Sequence, residues 1–290
     1  MSDLLPILSH NLSLSGENRI EIVDVGASDV DPSERPVYDP LLEVGLARLT
    51  GFEPNPDEFS KLPQTDQRRY LQTAIGDGRD QRLNLTMHPG FTSTLNPNAP
   101  VAATIANFKR LMRVTGHLDI ATTRLDDIPE IGRMDFLKID IQGGECLAFS
   151  GAPNLLRDCL CVHTETAFVQ LYEGQPLFGD QHRMMVDAGL MFLGFHKVNK
   201  HPLRGMFRKL STQAKARDIG AWIDADAVFI RDVRYWPDLE DAALTRLFVI
   251  LAIAYEAASA AMHALSILES RKSVDPPFVQ RCLEHFNADS

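Results

Sequence analysis

Basic charge is the first thing this sequence is short of. Its 29 Lys and Arg stand against 39 Asp and Glu, a formal net charge of −10. A surface of that sign repels a phosphate backbone, so nucleic acid is excluded as the main partner. Long apolar runs are also missing. The longest covers 247–255, between Arg246 and Glu256, less than half of the roughly 20 residues a membrane span needs. Cysteine is scarce: Cys146, Cys159, Cys161 and Cys282 show no metal-ligand spacing. Cys159 and Cys161 are two apart in a run that reads as a strand. That predicts one shared face, with both as buried free thiols of a reducing compartment. Residues 1–19 lack the basic and long apolar regions of a secretory signal, so the expected location is the cytoplasm.

What is present fits a globular chain. Apolar residues make up 44% and charged residues 23%, which excludes a disordered or fibrous protein. Strand-like and helix-like segments alternate. Strands are predicted over 20–25, 48–52, 69–75, 134–141, 160–164, 190–197 and 227–230, with an inserted strand over 82–87. Helices are predicted within 40–49, over 56–62 with Asn55 as cap, over 105–113 and over 181–189. This order predicts an α/β fold, a mostly parallel Rossmann-like sheet with helices on both faces. Residues 240–268 hold no Gly or Pro and are rich in Ala and Leu. They predict one long helix or two, a C-terminal helical appendage that packs on the sheet or on a second copy. The expected division is 1–235 and 236–290.

Four segments carry chemistry. In Asp24-Val25-Gly26-Ala27-Ser28, a strand ends in an acid and a tight turn, where ligands approach the backbone in Rossmann-like sheets. A dinucleotide enzyme needs G-x-G-x-x-G for its pyrophosphate. Here Asp29 and Asp31 would repel one, yet both are tolerable beside a cationic sulfonium. In Glu53-Pro54-Asn55, an acid ending the second strand can accept both hydroxyls of a ribose, or merely favour the N-terminus of the next helix. Ala74-Ile75-Gly76-Asp77 can flank an adenine, and Gly-Asp-Gly is also ordinary turn chemistry. Finally, Asp140 ends the apolar strand of Asp135-Phe136-Leu137-Lys138-Ile139, where a buried charge needs a cationic partner.

Together VDVGAS, GFEPNP, AIGDG, TRLDDI, DFLKIDIQGGE and ETAFVQLYEGQPLF resemble the FkbM-type methyltransferases over about residues 20–195. The resemblance implies a class I methyltransferase fold, S-adenosylmethionine as cofactor, and O-methylation of glycans or polyketide-type metabolites. By position it implies that Asp24, Gly26, Ala27 and Ser28 line the methionine part of the cofactor. Glu53 with Pro54 and Asn55 would hold the ribose. Ala74, Ile75, Gly76 and Asp77 would hold the adenine, and Asp140 the methyl-donor end. Two positions depart from the pattern: Asp29 replaces a glycine of the first loop, and Gln142 replaces an acid before Gly143.

An alcohol acceptor must lose its proton to a base or to a metal. Asp140, Glu165 and His163 are the catalytic candidates. His163 and Glu165 share a face of an extended chain as base and orienter, or as ligands of a divalent metal; His163 can equally be a core histidine. His88, Ser93, Glu165 and Tyr172 are candidates for contact with a glycan or other small-molecule acceptor. His182, His196 and His201 are too scattered for a metal site. A basic patch around Lys197, Lys200, Arg204, Arg208 and Lys209 fits an anionic substrate or a solvated loop. A methyltransferase-fold protein that binds without turnover is an alternative, as is a nicotinamide-dependent oxidoreductase. A homodimer is a further expectation, from the apolar tail.

Overall fold

A computed structural model describes residues 4–12, 14–27 and 35–288; Ser28 and Asp29 of the first loop lie outside them. Strands β1 (Ile20–Val25), β2 (Ala47–Phe52) and β3 (Arg68–Leu71) are followed by β4 (Ala74–Ile75), β5 (Asp80–Thr86) and β6 (Val114–Thr123). Then come β7 (Phe136–Ile139), β8 (Cys161–Ala167), β9 (Leu190–His201) and β10 (Ala221–Arg231). Seven form one sheet in the order β3-β2-β1-β7-β8-β10-β9. The first five run parallel, and β10 runs antiparallel to both β8 and β9. A smaller sheet, β4-β6-β5, stands beside it.

The central parallel strands β1 and β7 are mostly apolar because both of their faces are covered. In β1, Ile20 and Ile22 enter one core while Val23 and Val25 enter the other. The first core also takes the helix Leu4–Asn11 and the tail helices Asp241–Ala254, Ala258–Ser270 and Pro276–Ala288. Of these, Asp241–Ala254 is buried nearly all round, with Leu244 and every residue from Arg246 to Ala254 inside, as expected of a core helix. Arg246 is tolerated there because its Nε donates to Asp135 Oδ1 at 2.9 Å, beside β7. The apolar surface that suggested a second copy is thus buried within the chain.

Several elements differ from expectation. The run 69–75 divides: β3 stays in the main sheet, while β4 leaves it to pair with β6. Of the helix expected over 105–113 only Phe108–Leu111 is helical, and a further helix, Ala99–Thr104, precedes it. Ile105 between them is extended and bridges Leu203, and Asn107 adopts φ 70°. Strand β6 had no counterpart in the sequence reading, because its side chains are mostly half-buried or exposed and leave no apolar alternation. Cys159 caps a helix before β8 begins and lies in the second core, whereas Cys161 lies in the first. All four thiols are free.

Candidate active site

On the face covered by the tail helices, Ile22, Phe136, Cys161 and Val228 are core residues. Two positions further along the parallel strands stand Asp24, Lys138 and His163, consecutive partners in register across β1, β7 and β8. Strand β10 is antiparallel: its Val228 pairs with His163, and Asp226, two positions earlier in sequence, pairs with Glu165 one step further along the same face, diagonal to His163. The period of two thus carries each strand from packed core to a row of charge at one edge of the sheet. That row opens into a cavity of about 900 Å³ whose walls include Asp24, Lys138, His163 and Asp226.

Neighbours tune the row. Tyr38 donates its hydroxyl to Asp24 Oδ2. Asp24 Oδ1 is buried without a hydrogen bond, 3.4 Å from Lys138 Nζ. Burial opposes the charge on Lys138, but Asp24 and Asp140 outweigh it and raise its pKa. His163 is 6% exposed, with Nδ1 3.0 Å from the Tyr255 hydroxyl and Nε2 3.9 Å from Asp226 Oδ2. Burial works against an ionised Asp226, yet His163 and Lys138 bring its pKa below the usual value. The ring of His196 sits 5.6 Å from that of His163, and burial and His163 lower its pKa.

The other end of the cavity is built from loops that follow β1, β2 and β4. Asp24, Gly26 and Ala27 line it, as do Glu53, Pro54 and Asn55, and then Ala74, Ile75, Gly76 and Asp77. Gly26 has φ 80°, and a Cβ there would stand 2.1 Å from the carbonyl oxygen of Asp140. Only glycine lets the first loop pass that close to the end of β7. Glu53 is 6% exposed; its Oε1 accepts from Asn55 N–H at 2.8 Å, while Asn55 Oδ1 caps the next helix at Asp57. Asp77 Oδ1 accepts from Arg79 N–H at 3.2 Å.

Asp140 lines the cavity, but Glu165 stands behind it. Gln142, at φ 56°, donates from Nε2 to Asp140 Oδ1 (2.9 Å) and to both Glu165 oxygens (3.0 and 2.9 Å). Glu145 is buried and accepts from the N–H groups of Ile141 and Gly143. Atoms of Asp140, Glu145 and Glu165 lie within 4.8 Å of one another. Burial raises Glu145 to about 7; burial and the charges of Asp140 and Glu145 push Glu165 up as well. A fourth acid at 142 would add to this repulsion, whereas the amide donates into it.

The acceptor candidates separate. His88 lines the cavity, with Nδ1 accepting from Gly90 N–H. Ser93 does not reach it: fully buried, its hydroxyl donates to Gln142 O at 2.6 Å. Nor does Tyr172, which is 1% exposed with its hydroxyl 3.1 Å from Gln142 Oε1 and from Phe91 O. Both hold the Gln142 turn in place, Ser93 from the loop after β5 and Tyr172 from the loop after β8. Lys138, Asp226 and Tyr255 are not among the residues the sequence singles out, and His196 is named there only to be set aside as a metal ligand. Lys138 alone carried a signal, a cation inside an apolar strand.

Several solved structures are distant likenesses of this chain. A putative S-adenosylmethionine-dependent methyltransferase from Listeria monocytogenes is 5% identical, over 78% of this chain and 98% of that one, with a TM-score of 0.38. The plantazolicin methyltransferase BpumL in complex with SAH is 10% identical, over 80% and 84%, with a TM-score of 0.33. LepI in complex with SAM is 10% identical over 79% of this chain at a TM-score of 0.35, and the match spans 46% of LepI. No curated protein matches the sequence. Residues 24–191 match the family described as the methyltransferase FkbM domain, more than half of the chain and all of the charged row except Asp226. The chain belongs to the FkbM methyltransferase family.

Proposed function

We propose that the chain is an S-adenosylmethionine-dependent O-methyltransferase of the cytoplasm, with a sugar hydroxyl of a glycan or glycosylated metabolite as acceptor. The observation that carries this reading is one cavity walled by the Asp24, Glu53 and Asp77 loops at one end and by His163 and Asp226 at the other. The residues present fit the cofactor. The carboxylates of Asp24, Glu53 and Asp77 line one cavity with Gly26, where only glycine fits against the Asp140 carbonyl. S-adenosylmethionine brings the methyl group on a sulfonium; the rest falls to the chain. In this assignment Asp24, Gly26 and Ala27 hold the methionine part, Glu53 the ribose, Ile75 and Asp77 the adenine, and Asp140 lies near the donor end.

Binding donor and acceptor in line and keeping water out is most of what methyl transfer asks. The acceptor proton is assigned to His163 Nε2. With Nδ1–H directed to the Tyr255 oxygen, the Nε2 lone pair is available. The imidazolium formed then faces ionised Asp226, which stabilises it. Glu165 is reassigned as a positioning residue because Gln142 covers it. Tyr255 belongs to the tail, so the catalytic unit includes residues 236–290 rather than stopping at 235. The three-acid cluster supports a second reading, a divalent metal that lowers the acceptor's pKa.

Calorimetry with S-adenosylmethionine, with NAD as control, tests the cofactor assignment. Glu53→Ala should weaken binding by about 1.5–3 kcal/mol, as loss of a hydrogen bond to a charged group does. An unchanged dissociation constant would leave Glu53 as a support for the Asn55 turn only.

A further inference from the structure

Between Lys197 and Trp222 the chain carries seven Lys or Arg and one acid, Asp218, while the other 22 basic residues are set against 38 acids. This segment ends β9 and forms the connection to β10. It is tied down at its base, where Arg204 N–H donates to Thr104 O at 2.6 Å and Leu203 bridges Ile105. Beyond that base it projects. Leu203 is 56% exposed, Met206 73%, Leu210 45% and Ile219 77%. Trp222 is 42% exposed at the start of β10, with Lys200 Nζ 5.5 Å from its ring centre.

We propose that this connection docks on an anionic membrane surface; among the described residues no helix is long and apolar enough to cross the bilayer. Basic residues interleaved with single exposed Leu, Met, Ile and Trp side chains match what the interface asks. Cations meet the headgroups, the apolar tips enter the acyl boundary, and indole prefers the level between them. A protein partner fits less well, since interface cores are depleted of Lys. Nucleic acid would leave the apolar tips in water. The rest of the molecule is strongly acidic, which turns the basic segment alone towards an anionic surface. Lys197, Asn199 and Asp226, on the same two strands, line the cavity. On the reaction proposed above, docking would bring the cavity to acceptors held at a lipid surface.

The test is sedimentation of the full chain with vesicles of phosphatidylcholine alone or with roughly one-third phosphatidylglycerol. Binding is expected only with the anionic lipid, and lost at about 0.5 M salt. Lys209→Glu with Lys215→Glu should reduce it by more than about tenfold, and Met206→Ser with Ile219→Ser by roughly tenfold. Trp236, the other tryptophan, is fully buried, so a blue shift of emission on anionic vesicles reports Trp222. These readouts do not depend on methyl transfer. Equal binding to both lipids, or to neither, overturns the proposal. So does a Met206→Ser, Ile219→Ser variant that binds as tightly as the parent, which would indicate a soluble polyanion. Self-association abolished by the charge reversals, without vesicle binding, would indicate a second copy instead.

Discussion

His163 is held from three sides by residues that no short motif joins. Asp226 faces Nε2 from β10, Tyr255 meets Nδ1 from the end of a tail helix 92 residues along the chain, and His196 stands against the ring. His163→Ala should lower turnover by about 10²–10⁴-fold, the range for a general base, with the fold retained. On the proposed mechanism Asp226→Asn should lower kcat far more than it changes KM, since the imidazolium it would stabilise forms only in the transition state. A KM effect alone would make Asp226 a binding residue. Glu145 gives a separate prediction in stability. Its carboxyl titrates near the ordinary 4.5 when unfolded and at about 7 when folded. The folded state therefore holds the proton more tightly. Its contribution is complete below pH 4.5 and is lost as pH rises through 7. Glu145→Gln should remove that fall, at most about 3 kcal/mol. Denaturant unfolding at pH 5 and pH 8 checks this; parallel curves for parent and variant would contradict it.

Elements differ in how much of their place was visible in the sequence. The strands β1 and β7 could be read because burial on both faces leaves mostly apolar runs, and β2 and β8 because short apolar stretches end in a loop. The cavity end proposed for the cofactor follows those loops, so the candidates for it could be taken from strand ends. The acceptor end could not. Strand β10 was read only over 227–230, and a parallel orientation would have put Asp226 at the far edge of the sheet. Antiparallel pairing brings its earlier half to the ligand edge. Tyr255 was hidden for a different reason: a helix with no polar face gives no sign of which end meets a site. That helix also fastens the sheet. Arg246 and Asp135 form a buried pair with side chains 8% and 2% exposed. Arg246→Ala should cost about 3 kcal/mol, since it leaves Asp135 buried with less compensation. Truncation after Pro237 should give an aggregating protein, because the core under β1 and β7 would lose its cover. A monodisperse, active truncated chain would contradict the role given to the tail.

At the scale of the molecule, one sheet edge gathers two kinds of charge. The row of Asp24, Lys138, His163 and Asp226 faces the cavity, and the acids Glu145 and Glu165 are packed beneath Gln142. The first set suits direct proton transfer and the second suits a metal. If His163 is the base, activity should be indifferent to a chelator; a metal route would lose activity with chelator and regain it when metal returns. The most direct measurement of the central claim is mass spectrometry of glycans from cells supplied with isotopically labelled methionine, with the parent chain, with His163→Ala, or with neither. The account predicts one labelled methyl group on a glycan hydroxyl with the parent alone. Identical glycan profiles in all three, or the same methyl group with His163→Ala as with the parent, would contradict it.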